Sequence, residues 1–196
     1  MRLPRAADGE TVVGVALAVP EPFRSQLHDA RVRFGDLEAR TIVPHVTLVG
    51  PTPVADDRFG ELDAHLAAVA ARHDPFRVRL HGTQTFRPVS PVVFVALVEG
   101  AQACATLEGD LRAGPLAVES PFPFHPHVTV AHDLDDAALD GAQDAMAGYD
   151  AVFDVTHVHR FVHDGTAWRP ARQFPLGGAA GAGTGRVPDA GAVRPT

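Results

Sequence analysis

One five-residue phrase occurs twice in this chain of 196 residues, as Pro44-His45-Val46-Thr47-Leu48 and as Pro126-His127-Val128-Thr129-Val130. Val, Thr and Leu favour extended backbone, and proline lacks the amide hydrogen that a helix interior needs, so each copy predicts a strand that opens at its proline. Side chains alternate across a strand, which puts the histidine and threonine on one face and the apolar residues on the other. Each copy therefore predicts an apolar face for a core and a polar face for a cleft.

The polar face of each copy pairs a group that can move a proton with a group that can hold phosphate. Imidazole exchanges a proton near neutral pH, so two histidines across a cleft suit a general base and a general acid. A threonine hydroxyl can donate a hydrogen bond to a phosphoryl oxygen. The phrase therefore predicts His45 and His127 as the proton-transfer pair, with Thr47 and Thr129 as phosphate ligands.

A bare His-x-Thr pattern is weak evidence, because the chain has eleven histidines. The pattern also occurs at His81-Gly82-Thr83, where the preceding proline and the flanking apolar alternation are missing. The longer match in a strand setting distinguishes the other two copies. The alternative interpretation is a pair of ordinary edge strands whose polar faces meet only water.

The composition limits the classes of function. Hydrophobic residues make up 45% of the chain, enough for a substantial core, and the net charge is −7. That charge disfavours broad binding to a nucleic-acid backbone but allows a small phosphate ester or the end of an RNA. All 17 residues counted as Lys or Arg are arginine, and asparagine is absent. A phosphate-binding-loop lysine, a Schiff-base lysine and a Cys-His-Asn arrangement are therefore excluded.

Cysteine usage and hydropathy agree with a reducing compartment. Cys104 is the only cysteine, which excludes an internal disulfide and a cysteine-based zinc site. No charged and then apolar leader opens the chain, and no apolar run approaches the length of a membrane span. We therefore expect a cytoplasmic protein without a membrane partner, and we expect it to be a monomer.

Periodicity along the chain predicts two halves with a similar order of elements. The predicted strands are 11–19, 41–49 (closed by Gly50-Pro51), 76–86, 92–98, 124–131, 151–161 and 167–176, and the predicted helices are 20–34, 56–72, 101–112 and 135–147. Each half, about 10–98 and 99–176, runs helix, motif strand, helix, strand pair. Such a duplication can bring the motif strands face to face across a pseudo-two-fold axis. The Gly/Ala/Pro-rich stretch 177–196 lacks apolar periodicity and predicts a disordered tail after a domain over 1–176.

The two Pro-His-Val-Thr strands in a repeated α/β order resemble the 2H phosphoesterase superfamily, and most closely its bacterial 2′-5′ RNA ligase-like branch. The resemblance covers about residues 10–176. It implies an α+β, bilobal, duplicated fold in which two antiparallel-rich sheets with flanking helices surround a central cleft. It also implies metal-independent hydrolysis of 2′,3′-cyclic phosphates or related 2′-linked phosphodiesters, with His45 and His127 catalytic and Thr47 and Thr129 as phosphate ligands.

Three functional hypotheses follow. The first is a cofactor-free cyclic phosphodiesterase that acts on a small cyclic phosphate ester, a nucleotide or an RNA terminus, with reverse 2′-5′ RNA ligation as a further activity. The second is a non-catalytic module that binds a nucleotide or an RNA end. The third is a histidine-ligated metalloenzyme, because His125, His127 and His132 cluster around the second motif. The metal hypothesis is disfavoured because a typical site combines histidines with a carboxylate, and no acidic residue occurs in this cluster before Asp133.

Three further residues are weaker candidates for substrate binding. Phe86-Arg87 closes a predicted strand, where the ring could stack on a base and the guanidinium could meet phosphate. The competing interpretation is a core Phe86 and a solvated Arg87. His125 shares a strand face with His127 and is the third candidate. A later predicted strand also carries alternating histidines that indicate a polar strand face or a part of the cleft wall: His157, His159 and His163.

Overall fold

The computed structural model describes residues 3–117 and 122–177. In chain order these residues form β1 (Glu10–Ala18), α1 (Phe23–Phe34), β2 (His45–Ala55), α2 (Phe59–Ala70), β3 (Phe76–Thr85), β4 (Val92–Glu99), α3 (Ala101–Arg112), β5 (His127–His132), α4 (Asp136–Ala145), β6 (Asp150–Val155), β7 (His157–His163) and β8 (Trp168–Pro175). Short 3-10 helices, Leu37–Arg40 and Asp56–Arg58, flank β2. No helix within these ranges is both long enough and apolar enough to cross a membrane. The predicted tail, beyond Gly177, lies outside the described residues.

The strands form two four-stranded antiparallel sheets. The first sheet has the order β2-β1-β7-β8 and the second sheet has the order β5-β4-β3-β6. Each sheet takes two strands from each half of the chain, and each has its motif strand, β2 or β5, at one edge. In both sheets a helix connects the motif strand to its neighbour, as β1-α1-β2 and as β4-α3-β5. The predicted α+β class, with two antiparallel sheets and flanking helices, is confirmed.

One apolar cluster joins one face of each sheet to the buried sides of the four helices. The cluster includes four residues of the motif strands: Val46, Leu48, Val128 and Val130. Full burial of such a side chain contributes about 1.5–3 kcal/mol, and a one-residue slip in register would move all of a strand's apolar residues to the other face. Core packing therefore directs the motif histidines and threonines away from the core.

The stretch predicted as one strand over 151–161 is two strands that belong to different sheets. β6 pairs with β3 in the second sheet, and β7 pairs with β1 in the first. Buried residues occupy alternate positions up to Val155, and the alternation resumes out of phase at Val158. Because a continuous strand keeps a period of two, this change of phase around Thr156 is the sequence signal for the crossover.

Both motif strands differ from their predicted limits. β2 continues through Gly50 and Pro51 to Ala55, and its pairing with β1 is irregular on either side of Val15. An edge strand tolerates proline because one of its sides needs no ladder donor, so Pro51 does not end the strand. β5 begins at His127 rather than at residue 124.

Candidate active site

The two motif strands meet where the two sheets adjoin. β2 and β5 belong to different sheets, yet they contact each other. On both strands the histidine and the threonine are half-buried, while the valine between them is buried. The charge of His127 helps to lower the pKa of His45, so the two imidazoles lie within electrostatic range of each other. The structure thus brings the two motifs, 82 positions apart (45 to 127), to one place between the sheets.

Both motif histidines are oriented by the same backbone contact. His45 Nδ1 lies 2.7 Å from the carbonyl oxygen of Val43, and His127 Nδ1 lies 2.7 Å from the carbonyl oxygen of His125. A carbonyl oxygen can only accept, so each Nδ1 donates its hydrogen and each Nε2 keeps a lone pair. The nitrogen that can accept a proton is therefore Nε2 in both rings.

Burial keeps both rings neutral near pH 7. Desolvation, with smaller effects from the charges of Arg31 and His127, lowers the pKa of His45 to about 4. Desolvation also lowers the pKa of His127, with a smaller effect from the charge of His125. A neutral imidazole is ready to accept a proton, and a bound anion would raise the pKa of either ring.

The two motif threonines differ in their hydrogen bonds. Thr47 Oγ1 lies 3.1 Å from Nε2 of His45. Within the described residues, neither the Thr129 hydroxyl nor Nε2 of His127 has a protein hydrogen-bond partner. The polar groups of the second motif are therefore open to a ligand, whereas those of the first motif contact each other.

A buried ion pair supports the segment that leads into the first motif. Arg31 Nη2 lies 2.8 Å from Asp36 Oδ2, and the two side chains are 3% and 1% exposed. Arg31 Nη1 also donates to the carbonyl oxygen of Ile42 at 3.4 Å, while Asp36 Oδ1 accepts from the Glu38 amide at 2.9 Å. These bonds tie α1 to the segment before His45. The pair was not predicted, since charged residues at a helix end usually meet solvent.

Aromatic rings pack against the second motif. The ring centroids of Phe86 and Phe94 lie 4.9 and 5.1 Å from that of His127. The His125 ring is 5.5 Å from Phe86, and its residue is exposed. These rings exclude water from one side of His127, in keeping with its lowered pKa. Phe86 thus packs against His127. Base stacking by Phe86 and a substrate contact of His125 stay predictions. Phe94 was not predicted, because its face depends on how β4 pairs.

Arg87 is engaged by two carboxylates of α4. Its Nη2 lies 2.6 Å from Asp140 Oδ1, and its Nη1 lies 3.2 Å from Asp136 Oδ1. The hydrogen bonds that Arg87 donates to Asp140 and Asp136 raise the pKa of Arg87. The guanidinium is therefore not the solvated group of the competing interpretation. Phosphate binding by Arg87 stays a prediction, and a substrate would compete with both carboxylates.

An apolar pocket opens beside the first motif. Its cavity volume is about 40 Å³, and it is open to solvent. His45 and Thr47 form its polar edge, and Phe161 and Trp168 supply aromatic wall. Trp168 approaches β1 closely, because a Cβ on Gly14 would lie 3.3 Å from the indole ring. A planar apolar group bound next to the first motif would therefore contact aromatic surface.

The histidines around the second motif do not form a shared metal site. His132 Nδ1 lies 3.0 Å from Glu38 Oε2, and this hydrogen bond lowers the pKa of Glu38 to about 2. His125 instead packs against Phe86. Across residues 3–117 and 122–177, no group of three or more His, Cys, Asp or Glu side chains is arranged to hold a metal ion. The described side chains therefore give the metalloenzyme hypothesis no ligand set.

The buried imidazoles should make the protein less stable in mild acid. Unfolding lets His45 take up a proton at its ordinary pKa of 6.5, whereas the folded protein keeps it neutral down to about pH 4. The unfolded state binds more protons between these values, so stability should be complete above pH 6.5 and fall towards pH 4. Thermal unfolding followed from pH 8 to pH 4 measures this slope. His45→Gln should flatten it, and an unchanged slope would contradict the assignment.

A match to a known protein family covers most of the chain. The family model of the 2′-5′ RNA ligase superfamily matches residues 19–167, which include both motifs. The chain belongs to this superfamily. The resemblance to 2H phosphoesterases is thereby confirmed, and the superfamily assignment makes the protein a phosphoesterase directed at phosphodiesters.

Known proteins are similar to this chain in sequence, and solved structures are similar to it in fold. A candidate phosphoesterase of Oceanobacillus iheyensis is 28% identical over 122 residues, which cover 62% of this chain and 71% of that protein. One from Geobacillus kaustophilus is 25% identical over 170 residues, covering 84% and 96%. The crystal structure of Escherichia coli LigT with 3′-AMP is similar with a TM-score of 0.66, at 20% identity, over 85% of this chain and 98% of that chain. TT0787 of Thermus thermophilus has a TM-score of 0.60, at 20% identity, over 86% and 100%.

Proposed function

We propose that this protein is a metal-independent phosphodiesterase that hydrolyses 2′,3′-cyclic phosphates of nucleotides or RNA ends. The proposal rests on one observation. Two histidines from different sheets lie within electrostatic range, and both donate Nδ1–H to a backbone carbonyl, which leaves both Nε2 atoms for proton transfer. A pair of such groups on opposite sides of phosphorus is what in-line hydrolysis of a cyclic diester requires.

The substrate phosphate would lie between the two motifs. One Nε2 takes a proton from water as the water oxygen bonds to phosphorus, and the other Nε2 gives a proton to the 2′ or 3′ oxygen as its bond to phosphorus breaks. Thr47 and Thr129 donate hydrogen bonds to the non-bridging oxygens and stabilise the added negative charge of the transition state. If the 5′-hydroxyl of a second RNA attacks phosphorus in place of water, one Nε2 takes the proton of that hydroxyl and the other protonates the departing 3′ oxygen. The phosphate then stays on the 2′ oxygen, and the product is a 2′-5′ linkage.

The negative charge of the bound substrate would allow one of the two histidines to be protonated and act as the acid. Both imidazoles have a lowered pKa in the unliganded protein, so both are bases near pH 7. A phosphodiester anion between them favours an imidazolium and raises the pKa of both rings. The backbone contacts of the two rings match, so the base and acid roles follow from which oxygen leaves.

The ligands of a structural neighbour support a nucleotide as substrate. Crystal structures of Escherichia coli LigT contain 3′-AMP, ATP or NADP+. Those ligands combine a phosphate with a nucleoside, the same combination that a motif pair beside an aromatic-walled pocket would suit in this chain. The net charge of −7 also favours a small ester or an RNA end over a long nucleic-acid backbone.

Turnover in the presence of a chelator tests the proposal. The wild-type protein should hydrolyse nucleoside 2′,3′-cyclic phosphates, and a short RNA with a cyclic phosphate end, at the same rate with and without excess EDTA. Chromatography that resolves the 2′ and 3′ monophosphates should show one product and so identify the oxygen that is protonated. Nucleotide binding without turnover would indicate a binding module, and loss of activity that a divalent metal restores would indicate a metalloenzyme.

A further inference from the structure

A third histidine lies on the same face of the first sheet as the first motif. In β7 the neighbours Val158 and Arg160 are buried, and His159 between them is half-buried on the opposite face. Ala16 of β1 pairs with Thr47 on one side and with His159 on the other. Neighbouring strands are about 4.8 Å apart, so the backbones of Thr47 and His159 are roughly 10 Å apart. Only the methyl group of Ala16 stands between them on this face.

The His159 imidazole has unused hydrogen-bonding capacity. Within the part of the chain that the structure describes, neither of its ring nitrogens has a hydrogen-bond partner. Its neighbours are the rings of His157 and Phe161, each with a centroid 6.3 Å away, and His157 Nδ1 is engaged by the Thr156 hydroxyl at 2.9 Å. No buried side-chain nitrogen or oxygen of the described residues lacks a partner, so the His159 nitrogens reach the surface. They are open to a ligand that displaces water from this face.

We propose that His159 binds the substrate directly, through a hydrogen bond to the nucleoside that carries the reacting phosphate. This inference rests on the proposed phosphodiesterase function. In the proposed function Thr47 holds the phosphate. Thr47, Ala16 and His159 are paired side by side on three neighbouring strands, so His159 lies two strands away from the phosphate. His159 would therefore contact the part of the substrate next to the phosphate on the side of the first sheet.

The protonation state of His159 identifies the group it would bind. Desolvation, with a smaller effect from the charge of His157, lowers the pKa of His159 to about 4. A neutral imidazole has one N–H donor and one lone pair, which match a ribose hydroxyl or the edge of a base. His159 lies across Ala16 from Thr47, where a group attached to a phosphate held by Thr47 would extend. The position of His159 and its hydrogen-bonding capacity therefore both point to the nucleoside as the ligand.

Thermal unfolding distinguishes substrate binding by His159 from a structural role, in which loss of the ring would lower the unfolding temperature. Its ring is not part of the apolar cluster and makes no hydrogen bond within the described residues, so its removal should leave the unfolding temperature near that of the wild type. His159→Gln keeps a donor and an acceptor and serves as the conservative variant. His81→Ala is the matched control, because His81 is an exposed strand histidine of the other sheet.

The experiment compares two cyclic esters. Cytidine 2′,3′-cyclic phosphate carries a nucleoside, whereas glycerol 1,2-cyclic phosphate keeps the five-membered ring without one. His159→Ala should raise KM for the cytidine ester about tenfold and leave kcat little changed, which is the size expected for one lost hydrogen bond. Its kinetics on the glycerol ester should equal those of the wild type. His159→Gln and His81→Ala should resemble the wild type on both esters.

The other outcomes either contradict the role of His159 or show whether that role holds without phosphodiesterase activity. An unchanged KM on both esters, or an equal loss on both, would overturn it while wild-type turnover still supports the phosphodiesterase. If the wild type hydrolyses neither ester, calorimetric binding of cytidine 2′- and 3′-monophosphate decides. Binding that His159→Ala weakens about tenfold would sustain the inference without the hydrolase. Equal binding by both proteins, or no binding by the wild type, would overturn both.

Discussion

His45→Ala and His127→Ala should each lower kcat for hydrolysis of a nucleoside 2′,3′-cyclic phosphate by about 10²–10⁴-fold. Each variant removes the Nε2 atom that moves a proton on one side of phosphorus, so water attacks without a base or the oxygen leaves without an acid. Initial rates at saturating substrate measure the effect. Circular dichroism and thermal unfolding establish that both variants are folded.

Two controls make the histidine experiment specific. The double variant should be little worse than the poorer single variant, because the two groups serve one transition state and their effects are not additive. His81→Ala removes the third His-x-Thr histidine, whose side chain is 49% exposed and lies 3.7 Å from Asp150, and should leave the rate unchanged. Normal turnover by both motif variants would refute the proposed mechanism.

Asp36→Ala should lower the free energy of unfolding by about 3–5 kcal/mol. The substitution leaves the guanidinium of Arg31, 3% exposed, without its carboxylate and removes the acceptor for the Glu38 amide. A buried charge without a partner costs far more than the net stabilisation from an intact pair. Urea denaturation at pH 7, followed by circular dichroism, measures the change.

A surface pair and a double variant test the cause of that loss. Arg58 and Glu61 form an ion pair of similar length, 2.8 Å, with side chains more than half exposed. Glu61→Ala should therefore change stability by no more than about 1 kcal/mol. Arg31→Met combined with Asp36→Leu removes both buried charges and should recover part of the loss. A double variant as unstable as Asp36→Ala would show that the capping bond, not the unpaired charge, dominates.

Local rules predicted the elements that carry the site. The alternation of polar and apolar residues around His45 and His127 placed both motifs on strands, and the buried valines of those strands confirm the predicted inward face. The same rules misplaced the strand over 151–161, because the change of phase around Thr156 is a one-residue signal inside an extended run. They also ended the first motif strand at Val49, before Gly50-Pro51, because whether proline breaks a strand depends on whether that strand is at an edge.

Other parts of the site depend on which strands become neighbours. The partners of Phe86 and Arg87 are on β4, β5 and α4, so the sequence could name these residues but not what they contact. The placement of His159 in a row with Thr47 requires β7 to cross into the first sheet beside β1. Apart from the Phe86–Phe94 contact between successive strands, these contacts join distant parts of the chain, and none follows from periodicity.

The sequence by itself determined that His45 and Thr47 share one strand face and that His127 and Thr129 share another, because a side-chain period of two is a property of the strand alone. It also determined the chemical types available for catalysis. Only the tertiary structure decided that the two strands meet, that both Nδ1 atoms donate to backbone carbonyls, and that Arg31 and Asp36 support the first motif from below the surface. The meeting of the strands arises from sheet order, which is set by contacts between distant parts of the chain. The Nδ1 contacts and the ion pair join residues two and five positions apart, and they depend on the burial and the backbone conformation that the folded sheets impose.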